Sequence, residues 1–276
     1  MTEGLITVRD GSSIFHRDVG SGPAVVMVPA WSMTADAFSH QVGHLGQNYR
    51  VIALDPRGQG RSSTTLEGND YVTHAHDLHD VVQHLGLTRF ALVGWSNGAL
   101  AAAHYVDIYG VDLLWALVDI DMPALAVPKA PGDWAEVPCL DAFQGFLGPL
   151  TVDPEAFRRQ MVRFFVERDL SDEEERWLLA QMHSQPPFVG RLLLSDILFY
   201  DFAEMLSRVS VATPTLVAVK SAWARDAEDW VRRTCPDAEF AAFNGGHMFF
   251  WEDPEPFNAV LKHFLDDAIQ RIAHYA

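Results

Sequence analysis

The chain has 276 residues and 49% of them are hydrophobic, enough for one large domain or for a domain with an inserted sub-domain. Acidic residues outnumber basic ones 37 to 20. The resulting formal net charge of −17 repels phosphate backbones and anionic bilayers, so neither nucleic acid nor a membrane is expected as a partner. Cys139 and Cys235 stand far apart and match no disulfide framework or zinc spacing. The opening "MTEGLITVRDGSS" lacks an apolar signal core, and no apolar run is long enough to span a bilayer. A cytoplasmic location is the expectation.

In chain order, "LITVRDG" and "SIFHRDVG" alternate and end in glycine, which predicts a hairpin. "PAVVMVP" is apolar throughout, as a strand buried on both faces should be. "ADAFSHQVGHL" has helical spacing, "RVIALD" is a second buried strand, and "PRGQGRSS" is a glycine loop. "YVTHAHDLHDVVQHLGL" is helical, with Val72, Leu78, Val82 and Leu85 on about one face. "RFALVG" is a third buried strand, followed by the helix "NGALAAAHYVDIYG" and the strand "LWALVDID". The alternation then stops, and residues 122–210 read as irregular and helical. From "TPTLVAV" it resumes, with a helix at "DAEDWVRRTC", a strand at "AEFAAF" and a last helix from "DPEPF". Strand–helix alternation predicts an α/β protein with a mostly parallel sheet covered on both faces. The break divides it into a core of residues 1–121 and 211–276 and a helical cap insertion of residues 122–210.

The stretch Gly94-Trp95-Ser96-Asn97-Gly98 fits G-x-S-x-G in the strand–turn–helix context which that motif requires. Its glycines leave room for a strained backbone at Ser96. The following helix N-terminus, with its free N–H groups, favours negative charge. The small residues Ala99 and Ala101 to Ala103 let the helix lie close to the sheet.

With "VMVPAW", "VIALDPRGQGRSS", "GWSNGA" and "NGGHMFFWEDPEPF", the sequence resembles the α/β-hydrolase fold superfamily over nearly its whole length. That resemblance implies an eight-stranded, mostly parallel sheet. It implies Ser96 as nucleophile and His247 as base, with the backbone N–H groups of Trp31 and Asn97 as the oxyanion hole. Many members carry the acid after the seventh strand, but "PTLVAVKSAWARD" has no carboxylate at that place and Asp226 comes late. The family's alternative position matches Asp121, which keeps the order Ser96, Asp121, His247. Asp121 is therefore preferred to Asp226 as the acid that orients the imidazole. Asp119 points to the same side of the strand but deeper, as a satisfied core carboxylate.

Other signals carry less. "HAHDLHD" holds three histidines and two aspartates, but in helical spacing with His76, His79 and Asp80 on a solvated face, so no metal is expected. Arg57 and Asp55 tie loops together, and Ser171 caps the acidic turn "SDEEER". Among Trp31, Trp95, Trp134, Phe164, Phe165, Phe188 and Phe199, the residues Trp31, Trp95 and Phe188 are assigned to the substrate pocket and the rest mainly to packing.

Three uses of the fold are open, and none needs a cofactor. In a carboxylesterase or lactonase, Ser96 attacks the carbonyl of a small hydrophobic ester. The sequence also resembles cofactor-independent dioxygenases that open 3-hydroxy-4-quinolone rings. In these a His/Asp dyad deprotonates an aromatic substrate, O2 is the co-substrate, and the serine only hydrogen-bonds. That branch shares the acid position of Asp121 and a Trp in the oxyanion loop, so ring cleavage is the favoured expectation and ester hydrolysis the alternative. A non-catalytic binding module has no need of a base together with its orienter.

Overall fold

The structure, a computed structural model, describes residues 1–275. Its strands are β1 (Thr2–Thr7), β2 (Ser13–Gly20), β3 (Ala24–Val28), β4 (Arg50–Asp55), β5 (Phe90–Trp95), β6 (Leu114–Ile120), β7 (Thr215–Lys220) and β8 (Glu239–Phe243). They form one sheet in the order β1-β2-β4-β3-β5-β6-β7-β8. The predicted hairpin is the antiparallel pair β1–β2, and β2 meets β4 antiparallel. From β4 onward every pairing is parallel. Every residue of β3, β5 and β7 is buried, which is why these strands read as unbroken apolar runs.

The core helices are α1 (Ser39–Leu45), α2 (Tyr71–His84) and α3 (Asn97–Tyr109). Between β6 and β7 lie α4 (Leu140–Val152), α5 (Pro154–Phe165), α6 (Asp172–His183), α7 (Pro187–Asp196) and α8 (Ala203–Ala212). After β7 come α9 (Ala224–Thr234), α10 (Phe249–Glu252) and α11 (Pro254–Tyr275). Ser171 caps α6 with a reciprocal capping box to Glu174. No helix among the described residues is long and apolar enough to cross a membrane.

Two local readings are corrected. The apolar face of α2 is formed by Tyr71, Ala75, Leu78, Val81 and Val82, whereas Val72 is exposed. The histidine face of α2 is not solvated: it is half-buried beneath Arg9 and Tyr109. Asp80 pairs with Arg9 at 2.7 Å, Asp77 with Arg57 at 2.7 Å, and the His79 ring stacks on Tyr109. Arg57 also reaches Asp10 and Ser12, so it ties three segments together.

The strand order places the site. β3 pairs with β4 on one side and β5 on the other, so the chain leaves β3 and β5 in opposite directions along the sheet. Such a reversal opens a crevice at the carboxyl ends of the strands. The loops after β3, β5, β6 and β7 end there.

Close packing makes the elbow possible. A Cβ on Gly98 would lie 2.1 Å from the Val28 carbonyl oxygen, and one on Gly94 would lie 2.5 Å from Ala99 Cα. Backbone atoms cannot move aside as a flexible side-chain tip can. Gly98→Ala should therefore destabilise the protein by about 3 kcal/mol or more in denaturant titration. Gly43→Ala, in the exposed interior of α1 with nothing near the new methyl, should stabilise it by about 0.5–1 kcal/mol.

Candidate active site

Ser96 sits between β5 and α3 with φ 51° and ψ −126°, a conformation unfavourable for a residue with a Cβ. Its N–H extends the ladder by donating to Ile120 O at 2.8 Å, and its own carbonyl accepts from Ala99 N at 2.7 Å. The turn is thus fixed on both sides while the side chain projects above the sheet. The Ser96 hydroxyl donates to Asn97 Oδ1 at 3.2 Å, and Asn97 Nδ2 in turn donates to the Tyr71 hydroxyl. Among the described residues neither the Trp31 nor the Asn97 N–H is engaged in a hydrogen bond, and both residues face the same cavity as Ser96. For Asn97 this follows from its place in the first turn of α3, where N–H groups have no intrahelical partner.

Asp121 follows β6 directly. It too has a positive φ, 56°, and no solvent exposure. Its N–H donates to Ala218 O at 2.7 Å. One carboxyl oxygen accepts the Lys220 N–H at 2.8 Å, and the other is 2.6 Å from His247 Nδ1. With Nδ1 donating to Asp121, the ring Nε2 is the unprotonated, accepting nitrogen. Burial lowers the imidazole below the ordinary histidine range, and Asp121 counteracts this only in part. His247 is therefore a neutral base near pH 7.

The loop that carries His247 is clamped. Its N–H donates to Phe164 O at 3.2 Å, and Met248 N–H to Phe165 O at 2.7 Å, both at the end of α5. Gly246 N–H donates to Glu252 Oε1 at 2.6 Å, and Glu252 also accepts the N–H groups of Glu167 and Arg168. The rings of Phe164 and Phe165 lie 4.7 and 5.5 Å from the imidazole.

Ser96 and His247 line one cavity of about 360 Å³, shared with Trp31, Asn97 and Glu136 and walled by Phe143, Met161, Phe164, Phe165 and Trp223. The volume suits a small ligand, and the wall is mostly apolar with a few polar groups.

The sequence pattern of the alpha/beta hydrolase fold family matches residues 23–188, more than half of the chain. The chain belongs to that family. Among curated relatives, a non-heme chloroperoxidase of Kitasatospora aureofaciens is 27% identical over 95% of this chain and 99% of its own length. Among solved structures, an esterase from Exiguobacterium antarcticum aligns with a TM-score of 0.86 at 22% identity, covering 96% of this chain and all of that one. A bromoperoxidase from Bacillus anthracis aligns equally well, at 23% identity over 96% of this chain and all of that one.

In this hydrolase-fold protein the structure brings Ser96, Asn97, Trp31, His247 and Asp121 together. Asp226 is not with them: it lies exposed in the first turn of α9. Two residues assigned to substrate contact are elsewhere. Trp95 ends β5 pointing into the core, fully buried, with Nε1 donating to His247 O at 3.0 Å. Phe188 is in the first turn of α7, whereas the cavity is reached from another face of that helix by Leu194 and from the turn after it by Ile197. Phe164 and Phe165, assigned mainly to packing, do line the cavity. Asp119 is not a satisfied carboxylate. Its Oδ1 has no hydrogen-bond partner among the described residues, and it borders a separate apolar pocket of about 30 Å³. Burial and the charge of Asp121 hold it well above the usual carboxylate range.

Sequence reasoning missed Glu136, Lys220 and Glu252. The Gly246–Glu252 contact has a signal, a carboxylate one turn of helix beyond the His247 loop. Glu136 lies in an irregular stretch without periodicity.

The dyad can be tested without any substrate. A proton NMR titration should place the His247 ring below the ordinary value of about 6.5. Asp121→Asn should lower it further, because Asp121 is what raises it. Asp226→Asn should leave it in place.

Proposed function

We propose that the protein is a serine-dependent carboxylester hydrolase acting on small hydrophobic esters. The observation that carries this reading is His247, held 2.6 Å from the buried Asp121 and lining one cavity with a serine on a strained elbow beside two free N–H groups. An ester hydrolase uses each of these parts. The Ser96 hydroxyl turns from Asn97 to His247, and its oxygen attacks the ester carbonyl as Nε2 takes the proton. Asp121 holds Nδ1–H and balances the imidazolium. The N–H groups of Trp31 and Asn97 bind the oxyanion. His247 then gives its proton to the departing alcohol, a water deprotonated by the same ring attacks the acyl carbon, and the ring returns that proton to Ser96 Oγ as the carboxylic acid leaves.

The esterase and haloperoxidase names among the relatives and structural neighbours support hydrolysis over the ring-cleaving dioxygenase that the sequence alone favoured. A dioxygenase would use His247 and Asp121 as a base toward the substrate but would need Ser96 only as a hydrogen-bond partner.

That difference is measurable. Ser96→Ala should cut kcat on a p-nitrophenyl ester by roughly a thousandfold or more, comparably to His247→Ala. No O2 should be consumed with a 3-hydroxy-4-quinolone. A Ser96→Ala variant weakened only ten- to a hundredfold, about the worth of one hydrogen bond to a charged group, would favour the dioxygenase if O2 is consumed and His247→Ala is inactive. In the active enzyme, kcat/KM should rise with pH as His247 loses its proton, with an apparent pKa below about 6.5, and then level off.

A further inference from the structure

Glu136 lies in the stretch before α4, and its backbone is fixed. Its N–H donates to Leu125 O at 2.9 Å, and Val137 N–H donates to Ala126 O at 3.1 Å. This ties it to the chain leaving β6 at Asp121. The side chain keeps some accessible surface, and it lines the cavity that holds Ser96 and His247. Among the described residues its carboxyl has no hydrogen-bond or ion-pair partner. The cation that acts on it, Lys220, is held between rings, with Nζ 4.4 Å from the Phe164 centroid and 4.1 Å from that of Trp223. Burial first, and then the negative charge of Asp121, push the Glu136 carboxyl up to about 7, and Lys220 offsets this only in part.

An acid held among aromatic walls without a protein partner is unfavourable for folding. The ester-hydrolysis steps do not use it, since His247 is the base and Asp121 its orienter. Polar groups of this kind in an apolar pocket fix the orientation and identity of a ligand. The surroundings select the sign of that ligand's charge. An ionised Glu136 attracts a cation at short range, and the chain's −17 charge does so at longer range.

We propose, resting on the ester-hydrolase reading, that Glu136 is a specificity-determining residue that pairs with a primary ammonium group at one end of an otherwise apolar ester substrate. The ammonium replaces the partner that the protein does not provide, and the pair fixes which end of the substrate points at Ser96.

The test compares isosteric esters at pH 8, where the Glu136 carboxyl is ionised and an alkylammonium is still protonated. An acyl-side pair is p-nitrophenyl 6-aminohexanoate and p-nitrophenyl heptanoate. An alcohol-side pair is 3-(aminomethyl)phenyl butyrate and 3-ethylphenyl butyrate. In at least one pair kcat/KM should favour the ammonium ester by about tenfold or more, the worth of a hydrogen bond to a charged group. Glu136→Gln, equal in size and uncharged, should lower that ratio by a similar factor, and Glu136→Met at least as much. A merely structural role would change both esters of a pair alike. A wild-type ratio below one in both pairs, or a ratio unchanged in Glu136→Gln, overturns the proposal while leaving the esterase reading intact. Failure of the wild-type enzyme to hydrolyse any of the four esters overturns both.

Discussion

Asp121 has no exposed surface, so its carboxyl must find all its partners inside the protein. Among the described residues it has two, the Lys220 N–H and the His247 ring, and the second of these contacts organises the site. It fixes the imidazole tautomer and joins the end of β6 to a loop more than a hundred residues later. Breaking it would leave a buried carboxyl half-satisfied and the imidazole without the contact that orients it. The rest of the crevice is arranged around that contact. The positive φ at Asp121 aims its side chain toward the histidine loop, and the bond from its N–H to Ala218 O holds the turn.

The segment between β6 and β7 does more than cover the sheet. The end of α5 accepts hydrogen bonds from His247 and Met248, and its Phe164 and Phe165 pack on the imidazole. The His247 ring is buried in part by this segment, and that burial is what lowers its pKa. Glu252 ties the same loop to the chain after α5 by accepting the N–H groups of Gly246, Glu167 and Arg168. The site's electrostatics and its mechanical support thus come from one set of contacts.

Much of this was legible in the sequence, for reasons specific to each part. Strands buried on both faces appear as apolar runs, so β3 to β7 could be read directly. The elbow could be read because Gly94 and Gly98 are demanded by backbone approach, not by preference. Asp121 could be inferred because the alternative place after β7 held no acid in step. What could not be read is which way a side chain faces outside regular structure. Trp95 adjoins Ser96 in sequence, yet strand alternation turns it into the core. Phe188 and Phe164 look alike as cap aromatics, and only the packing of α5 and α7 separates them. Glu136 sits where no period exists, and its position depends on backbone hydrogen bonds to Leu125 and Ala126.

The central claim is that Ser96 is a covalent nucleophile activated by the buried dyad. The most direct measurement is labelling with a fluorophosphonate, followed by peptide mass spectrometry. A neutral His247 and two free N–H groups should give one adduct per chain, on Ser96, with Asp121→Asn labelled far more slowly. No adduct on Ser96, or equal labelling rates in the wild-type and Asp121→Asn proteins, would contradict it.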